Sequence, residues 1–283
     1  MSILSLILKL LSLFLGIITS LFSMSYLGSQ MASFYARLLV SYACLLVCAT
    51  YGLIASLFLR LIGRHRISQW ATARAFKYTM ALTTGVRFEI IQGKQHLSTR
   101  PAVFVGNHQT ALDVLLLGEI FPPYCSVTAK KSLARVPFLG WFMALSGTVF
   151  IDRTSRASAL KAFAGAAEEM KRERQSVFIF PEGTRSNAEE PMLLGFKKGA
   201  FHLAIQAGVP IIPVIAGCYW GVLGAREGRL RAGRIPVKGR PSINPPFAKL
   251  YDKLQIKFLA NTQSSQSSPQ SQPTTSPPKT LTT

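Results

Sequence analysis

Acidic residues are scarce in this chain of 283 residues: 12 Asp and Glu stand against 32 Lys and Arg, a formal net charge of +20. Charged residues of both signs make up only 16%, while apolar residues make up 49%. That balance excludes a charge-rich disordered chain and also an ordinary soluble domain with a fully polar surface. Cysteine is sparse as well. Cys44 and Cys48 fall in an apolar run, and Cys125 and Cys218 stand alone. With no CxxC pair and no Cys/His zinc spacing, a disulfide framework is excluded, and buried thiols in a reducing compartment are expected. No GxSxG elbow is present, so no activated serine announces itself. Strong positive charge on an apolar chain suits an anionic lipid surface, and nucleic acid is the other polyanion that the charge permits.

Two long apolar runs decide between them. Residues 3–27 and 38–62 each exceed the roughly 20 residues that cross about 30 Å of hydrocarbon as a helix. Gly28, Ser29, Gln30 and Arg37 lie between them and suit a turn at an interface. The first run lacks a basic start and a small-x-small cleavage site, so a retained anchor is expected rather than a secretory signal. Residues 60–100 carry eight basic residues against Glu89 alone, which by the positive-inside rule places this flank on the cytosolic side. Both crossing and interfacial helices satisfy the pattern. No nucleic-acid motif accompanies the charge, and such a binder has no need of membrane-length runs.

From about residue 87 the texture changes to short β-rich runs alternating with helical stretches. Expected strands are Arg87–Ile91, Ala102–Gly106, Cys125–Ala129, Thr148–Ile151, Val177–Phe180 and Val209–Ile215. Expected helices are Leu112–Ile120, Ser158–Gln175 and Lys198–Ala207. The alternation predicts an α/β fold, a sheet flanked by helices with functional loops at strand ends, preceded by the two hydrophobic helices. Three parts follow: a membrane anchor over 1–64, a catalytic domain over 65–258, and a Ser/Thr/Pro/Gln-rich tail over 259–283 that cannot bury a core.

Chemistry concentrates where apolar strands stop. Asn107-His108-Gln-Thr-Ala-Leu-Asp113 follows AVFVG. Five residues apart on one helix, His108 and Asp113 would point away from each other. They meet only if His108 sits in the strand-to-helix turn and Asp113 in the first turns of the helix. The carboxylate then fixes the imidazole tautomer and leaves the other nitrogen as a base, which in the absence of a nucleophile acts directly on a substrate hydroxyl. A helix-capping histidine beside a surface ion pair is the alternative. Phe180-Pro-Glu-Gly-Thr-Arg-Ser186 ends a second strand; its Gly183, Thr184 and Arg185 make a phosphate cradle or a plain surface turn. Lys130 and Lys131 end a third strand and Arg153 a fourth, with Val136, Phe138 and Trp141 between them as candidates to line an acyl slot. The prolines of Val209-Pro-Ile-Ile-Pro-Val214 suggest an edge or bent strand beside the site.

NHQTALD, GTVFIDR, FPEGTRS and GVPIIPV, in this order and spacing and joined by FKKGAF at 196–201, resemble the glycerolipid acyltransferases, and within them the 1-acylglycerol-3-phosphate O-acyltransferase (lysophosphatidic acid acyltransferase) family. The resemblance covers roughly residues 65–240. It implies His108 as general base on the 2-hydroxyl of lysophosphatidic acid, with Asp113 as its orienting carboxylate and an acyl-CoA as the attacked co-substrate. It implies that Glu182, Gly183, Thr184, Arg185 and Arg153 bind the acceptor, with Asn107 and Lys130 beside them. It implies that the fourth block supports the acyl chain, and that neither a metal nor another cofactor takes part. Lysophosphatidic acid, acyl-CoA and a bilayer rich in anionic lipid are the implied partners, with nucleic acid excluded. The implied location is the endoplasmic reticulum membrane, catalytic domain on the cytosolic side. A non-catalytic lipid-binding module is the competing class. Gly195 departs from the family pattern, as does the stretch after Arg234-Ile-Pro-Val-Lys238, which looks unlike the family's usual closing strand and terminal helix.

Overall fold

The computed structural model describes residues 2–244. Residues 245–258 of the expected catalytic domain and the expected tail at 259–283 lie outside the described residues. The two apolar runs form helices α1 (Ile3–Tyr26) and α2 (Gln30–Leu61), both long and apolar enough to cross a membrane. The helix α2 begins well before residue 38. Ser29 caps it, its hydroxyl accepting from the Ala32 N–H at 3.3 Å, and nothing in residues 30–37 breaks a helix. The expected interfacial turn is therefore confined to Leu27–Ser29, and Gln30 and Arg37 lie on the helix.

The two helices differ in what they touch. Helix α1 buries no residue, whereas α2 buries Ala32, Phe34 and Ala36 and then Cys44, Cys48, Gly52 and Ser56 at four-residue spacing. A four-residue spacing keeps these side chains on one face. That face meets α3 (Ser68–Thr83): the Cys44 and Cys48 sulfurs lie 3.4 and 3.5 Å from the hydroxyls of Thr83 and Thr79. At Gly52 a Cβ would collide with Thr72 and with the Phe142 ring of α5 (Leu139–Leu145). The boundary at residue 64 is thus one of sequence texture and not of packing.

A seven-stranded sheet follows, in the order β1 (Val86–Gln92), β9 (Gly233–Gly239), β6 (Ile211–Ala216), β2 (Val103–Gly106), β5 (Ser176–Ile179), β3 (Cys125–Lys130) and β4 (Val149–Ile151). Every pairing is parallel except β6 with β9. The central strands β2, β5 and β6 are buried along their whole length, as strands covered on both faces must be. Alternate residues serve alternate faces. Phe104, Phe178 and Ile212 pack with α2, α3 and α4 (Asp113–Ile120), while Val103, Val177 and Ile211 pack with α6 (Arg156–Glu173) and α7 (Gly199–Ala207). A short hairpin, β7 (Leu223–Gly224) and β8 (Arg229–Leu230), precedes β9 and rests against α2, where Gln30 Nε2 donates to the Glu227 carbonyl at 3.2 Å.

Six expected strands and three expected helices are present with ends shifted by a residue or two. Helices α3 and α5 and the β7–β8 hairpin were not among the expected elements, and two features of the main sheet differ. Strand β6 is interior, not an edge: its far side pairs with Ile243 at Ile211 and with β9 from Val214 onward, and between the two the Pro213 carbonyl accepts from Arg240 N–H at 2.9 Å, so the proline sits at the break in that ladder and the pairing with β2 is kept. Strand β9 was not among the expected strands, yet Gly233–Gly239, which contains Arg234-Ile-Pro-Val-Lys238, joins β1 to β6 and completes the sheet.

Candidate active site

The parallel strands β2, β3, β4 and β5 deliver their C-terminal ends to one edge, where an open α/β sheet places its ligands. Strand β2 ends in Asn107, whose side-chain amide brackets the backbone of Ala216: Nδ2 donates to its carbonyl and Oδ1 accepts from its N–H, both at 2.9 Å. Gln109 Nε2 donates to the Gly217 carbonyl at 2.9 Å. The turn that carries His108 is thereby fastened to β6 on either side of the imidazole.

Asp113 opens α4 and is 1% exposed. Its Oδ2 accepts from His108 Nδ1 at 2.7 Å, from Gln109 N–H at 2.7 Å and from Thr110 N–H at 3.1 Å. Its Oδ1 accepts from the Tyr219 hydroxyl. Burial and the Asp113 carboxylate push the Tyr219 hydroxyl well above the ordinary tyrosine range, which keeps it a donor. The carboxylate is thus held by four donors, and it holds the ring in turn. With Nδ1 engaged, Nε2 is the nitrogen left for a substrate, and the ring lies flat against Phe180 with centroids 4.1 Å apart and planes at 17°.

The second block closes over this turn. Glu182 Oε1 accepts from His108 N–H at 2.6 Å and Oε2 from Leu194 N–H at 2.9 Å. The Ser186 and Asn187 N–H groups donate to the carbonyls of His108 and Gln109 at 2.9 and 3.0 Å. Burial pushes the Glu182 carboxyl up from its ordinary value, against the pull of the two backbone donors. Two expected acceptor-binding residues are therefore reassigned. Asn107 and Glu182 are buried and their polar atoms are bonded to the backbone, which makes them part of the frame of the site.

Gly183, at φ +69°, lies where Arg153 and Lys197 converge: Arg153 Nη1 donates to its carbonyl, and a Cβ there would fall 2.9 Å from Lys197 Nζ. Behind them is a cavity of about 560 Å³ between the sheet edge and the first turns of α6 and α7. Ile151, Phe163, Ile179 and Phe180 give it apolar walls, and Arg153, Lys197 and Lys198 give it a cationic side. Phe180 belongs both to that wall and to the stack on His108. Among the described residues, Arg153, Arg185, Lys197 and Lys198 have no carboxylate within ion-pair distance. Thr184 and Arg185 are exposed beside Gly183. Lys130, at the end of β3, is exposed and outside the cavity wall; its neighbour Lys131 pairs with Asp152 at 3.4 Å.

The residues expected to line an acyl slot between Lys131 and Arg153 do not wall the cavity, apart from Ile151. Val136, Phe138 and Trp141 are exposed, and Phe142 turns inward onto α2. The fourth block likewise stays in the core, because β6 is covered on both faces. Conversely, the cavity uses Lys197, Lys198 and the α6 face, which drew no role from the sequence beyond family likeness. Tyr219 was missed altogether, since it lies 106 residues from the carboxylate it serves and no local pattern marks it.

The Acyltransferase family model matches residues 89–217. The chain is 43% identical over 205 residues to the 1-acyl-sn-glycerol-3-phosphate acyltransferase of Saccharomyces cerevisiae, covering 72% of this chain and 67% of that one. It is 37% identical over 216 residues to the human 1-acyl-sn-glycerol-3-phosphate acyltransferase beta, covering 74% of each. The chain belongs to the 1-acyl-sn-glycerol-3-phosphate acyltransferase family. Its fold matches the crystal structure of the 1-acyl-sn-glycerophosphate acyltransferase PlsC of Thermotoga maritima at a TM-score of 0.66, with 20% identity over 84% of this chain and 95% of that one. Within this acyltransferase, the matched region takes in Asn107 through Lys198 and stops just before Tyr219.

Proposed function

We propose that this acyltransferase moves a fatty acyl group from acyl-CoA to the 2-hydroxyl of 1-acyl-sn-glycerol 3-phosphate, giving phosphatidic acid and CoA. The observation that carries the reading is the buried, four-donor Asp113 holding His108 with Nε2 unspent, next to a cavity with unpaired cations. Nε2 takes the hydroxyl proton as the oxygen adds to the thioester carbonyl. The adduct collapses, the carbon–sulfur bond breaks, and the imidazolium returns the proton to the CoA thiolate. Base catalysis of this kind contributes about 10²–10⁴-fold. Arg153 and Arg185, with Lys197 on the far side of Gly183, take the acceptor phosphate, and holding it positions the hydroxyl at His108.

The reaction takes place at a membrane surface held by α1 and α2. Because α2 is packed on α3 and α5, it shares the core of the catalytic unit, which favours an interfacial seat over a detached pair of spans. Of the eight basic residues in 60–100, four are spent internally: Arg66 on Glu169, Arg74 on the carbonyls closing α4, Lys77 on Glu119, and Arg100 on the Arg174 carbonyl. Arg60 and Arg64 remain exposed at the end of α2 to meet anionic headgroups. We place the chain in the endoplasmic reticulum membrane with this site on the cytosolic side.

The test is thiol release from acyl-CoA by the detergent-purified chain with 1-acylglycerol 3-phosphate, glycerol 3-phosphate and other lysophospholipids as acceptors. Release with the first and its loss in His108→Ala are expected. Release with another acceptor only would overturn the substrate, and release with none would overturn the reaction.

A further inference from the structure

The segment between β3 and the end of α5 presents an aromatic surface that the fold itself does not use. Leu133, Val136, Phe138 and Trp141 are 37%, 39%, 39% and 51% exposed. Phe138 is held at φ 60° and ψ −58°, and Leu139 N–H donates to the Pro137 carbonyl at 2.6 Å, the tight three-residue turn that L-residues rarely adopt. Its ring sits 5.3 Å from the Trp141 ring. A strained backbone persists where its surroundings repay it, and here the strain places the Phe138 ring against Trp141 at the surface and outside both core clusters.

Three observations identify what meets it. Continuity comes first: Phe142, the residue after Trp141, closes on Gly52 of α2, so α5 lies against the part of α2 that exposes Val47, Tyr51, Ile54 and Phe58. The second is charge. Lys130 and Arg135 flank the rings, exposed and without a carboxylate partner among the described residues, an aromatic-plus-cationic pattern suited to the headgroup layer. The third is place. Lys131 contacts Asp152 at 3.4 Å, one residue from Arg153, so the segment adjoins the catalytic edge.

We propose that the 131–141 segment, through Phe138 and Trp141, enters the headgroup layer of the same membrane that holds α2, as a second lipid seat that brings the catalytic edge to the bilayer surface. Its benefit to acceptor capture rests on the acyltransferase reading; the lipid contact does not.

The test uses the full chain in vesicles of phosphatidylcholine and phosphatidylserine with brominated acyl chains. The chain has three tryptophans, so the emission of wild type minus that of Trp141→Phe is the Trp141 signal. Brominated lipid is expected to quench that difference several-fold more than aqueous iodide does. Stronger quenching by iodide would overturn the seat, and so would insensitivity to both, which would mean that protein covers the ring. A Phe138→Trp substitution in the Trp141→Phe background repeats the reading at the strained position. As a separate arm, Phe138→Ser with Trp141→Ser is expected to raise KM several-fold for bilayer-borne lysophosphatidate and to leave a dispersed short-chain acceptor unaffected; equal loss on both would overturn the capture role. A wild type inactive on every lysolipid would defeat the acyltransferase reading and leave the quenching result standing.

Discussion

The two halves of the site are built on opposite principles. Around His108 and Asp113 nearly every polar atom is matched: four donors on one carboxylate, two backbone N–H groups on Glu182, and the Asn107 amide closed on Ala216. Around Gly183 the reverse holds: among the described residues Arg153, Arg185, Lys197 and Lys198 have no carboxylate within ion-pair distance, the Asp152 carboxylate of the same cavity being taken by Lys131 and Thr154. The first half is complete without a ligand, as the proposed base at His108 requires. The second is electrostatically incomplete, so the energy of completing it is available to a bound anion.

The largest expected effect breaks the finished half. His108→Ala should lower kcat by about 10²–10⁴-fold with KM for the acceptor little changed, measured by thiol release. Arg153→Ala breaks the unfinished half and should do the converse, raising the acceptor KM by tens-fold, since a charge-assisted bond is worth about 1.5–3 kcal/mol, with a smaller change in kcat. Equal losses in kcat for both variants would erase the contrast. Tyr219→Phe sharpens it. The ring keeps its edge-on packing with Phe88 at 5.6 Å, but Asp113 Oδ1 loses its donor, and kcat should fall by about tenfold or less. A drop in melting temperature with kcat intact would make Tyr219 a packing residue only.

The smallest effect concerns Glu182. Its carboxyl is raised from 4.5 by burial, so the folded chain binds this proton more tightly than the unfolded chain does. Stability from this group is therefore full below about 4.5 and declines as pH rises through the raised value. A thermal-unfolding series across that window should show the decline in wild type and not in Glu182→Gln, which is itself less stable by roughly 1–3 kcal/mol because an amide nitrogen cannot accept from the Leu194 N–H.

What the sequence made legible was local. The runs AVFVG and VFIF announced β2 and β5 because strands covered on both faces are continuously apolar, and the His108–Asp113 spacing admitted one productive geometry, a turn leading into a helix, which is the geometry found. What it hid was mostly non-local. The closing of β9 between β1 and β6 depends on partners far apart in the chain, and Pro236 within it masks a strand that needs no donor at that position. Tyr219 reaches Asp113 only because β6 runs beside β2. Nor can hydropathy distinguish Trp141, which is left outside, from Phe142, which is turned in.

The stripe of Cys44, Cys48, Gly52 and Ser56 has a practical consequence for anyone seeking a water-soluble version of this enzyme. Trimming the first 64 residues would not cut a tether. It would uncover Phe76, Met80 and Phe142, leave the threonines of α3 facing water where they now face thiols, and turn a closed core into a sticky groove. A soluble derivative is better sought by deleting α1 alone and making the outward side of α2 polar, since the inward side is shared wall.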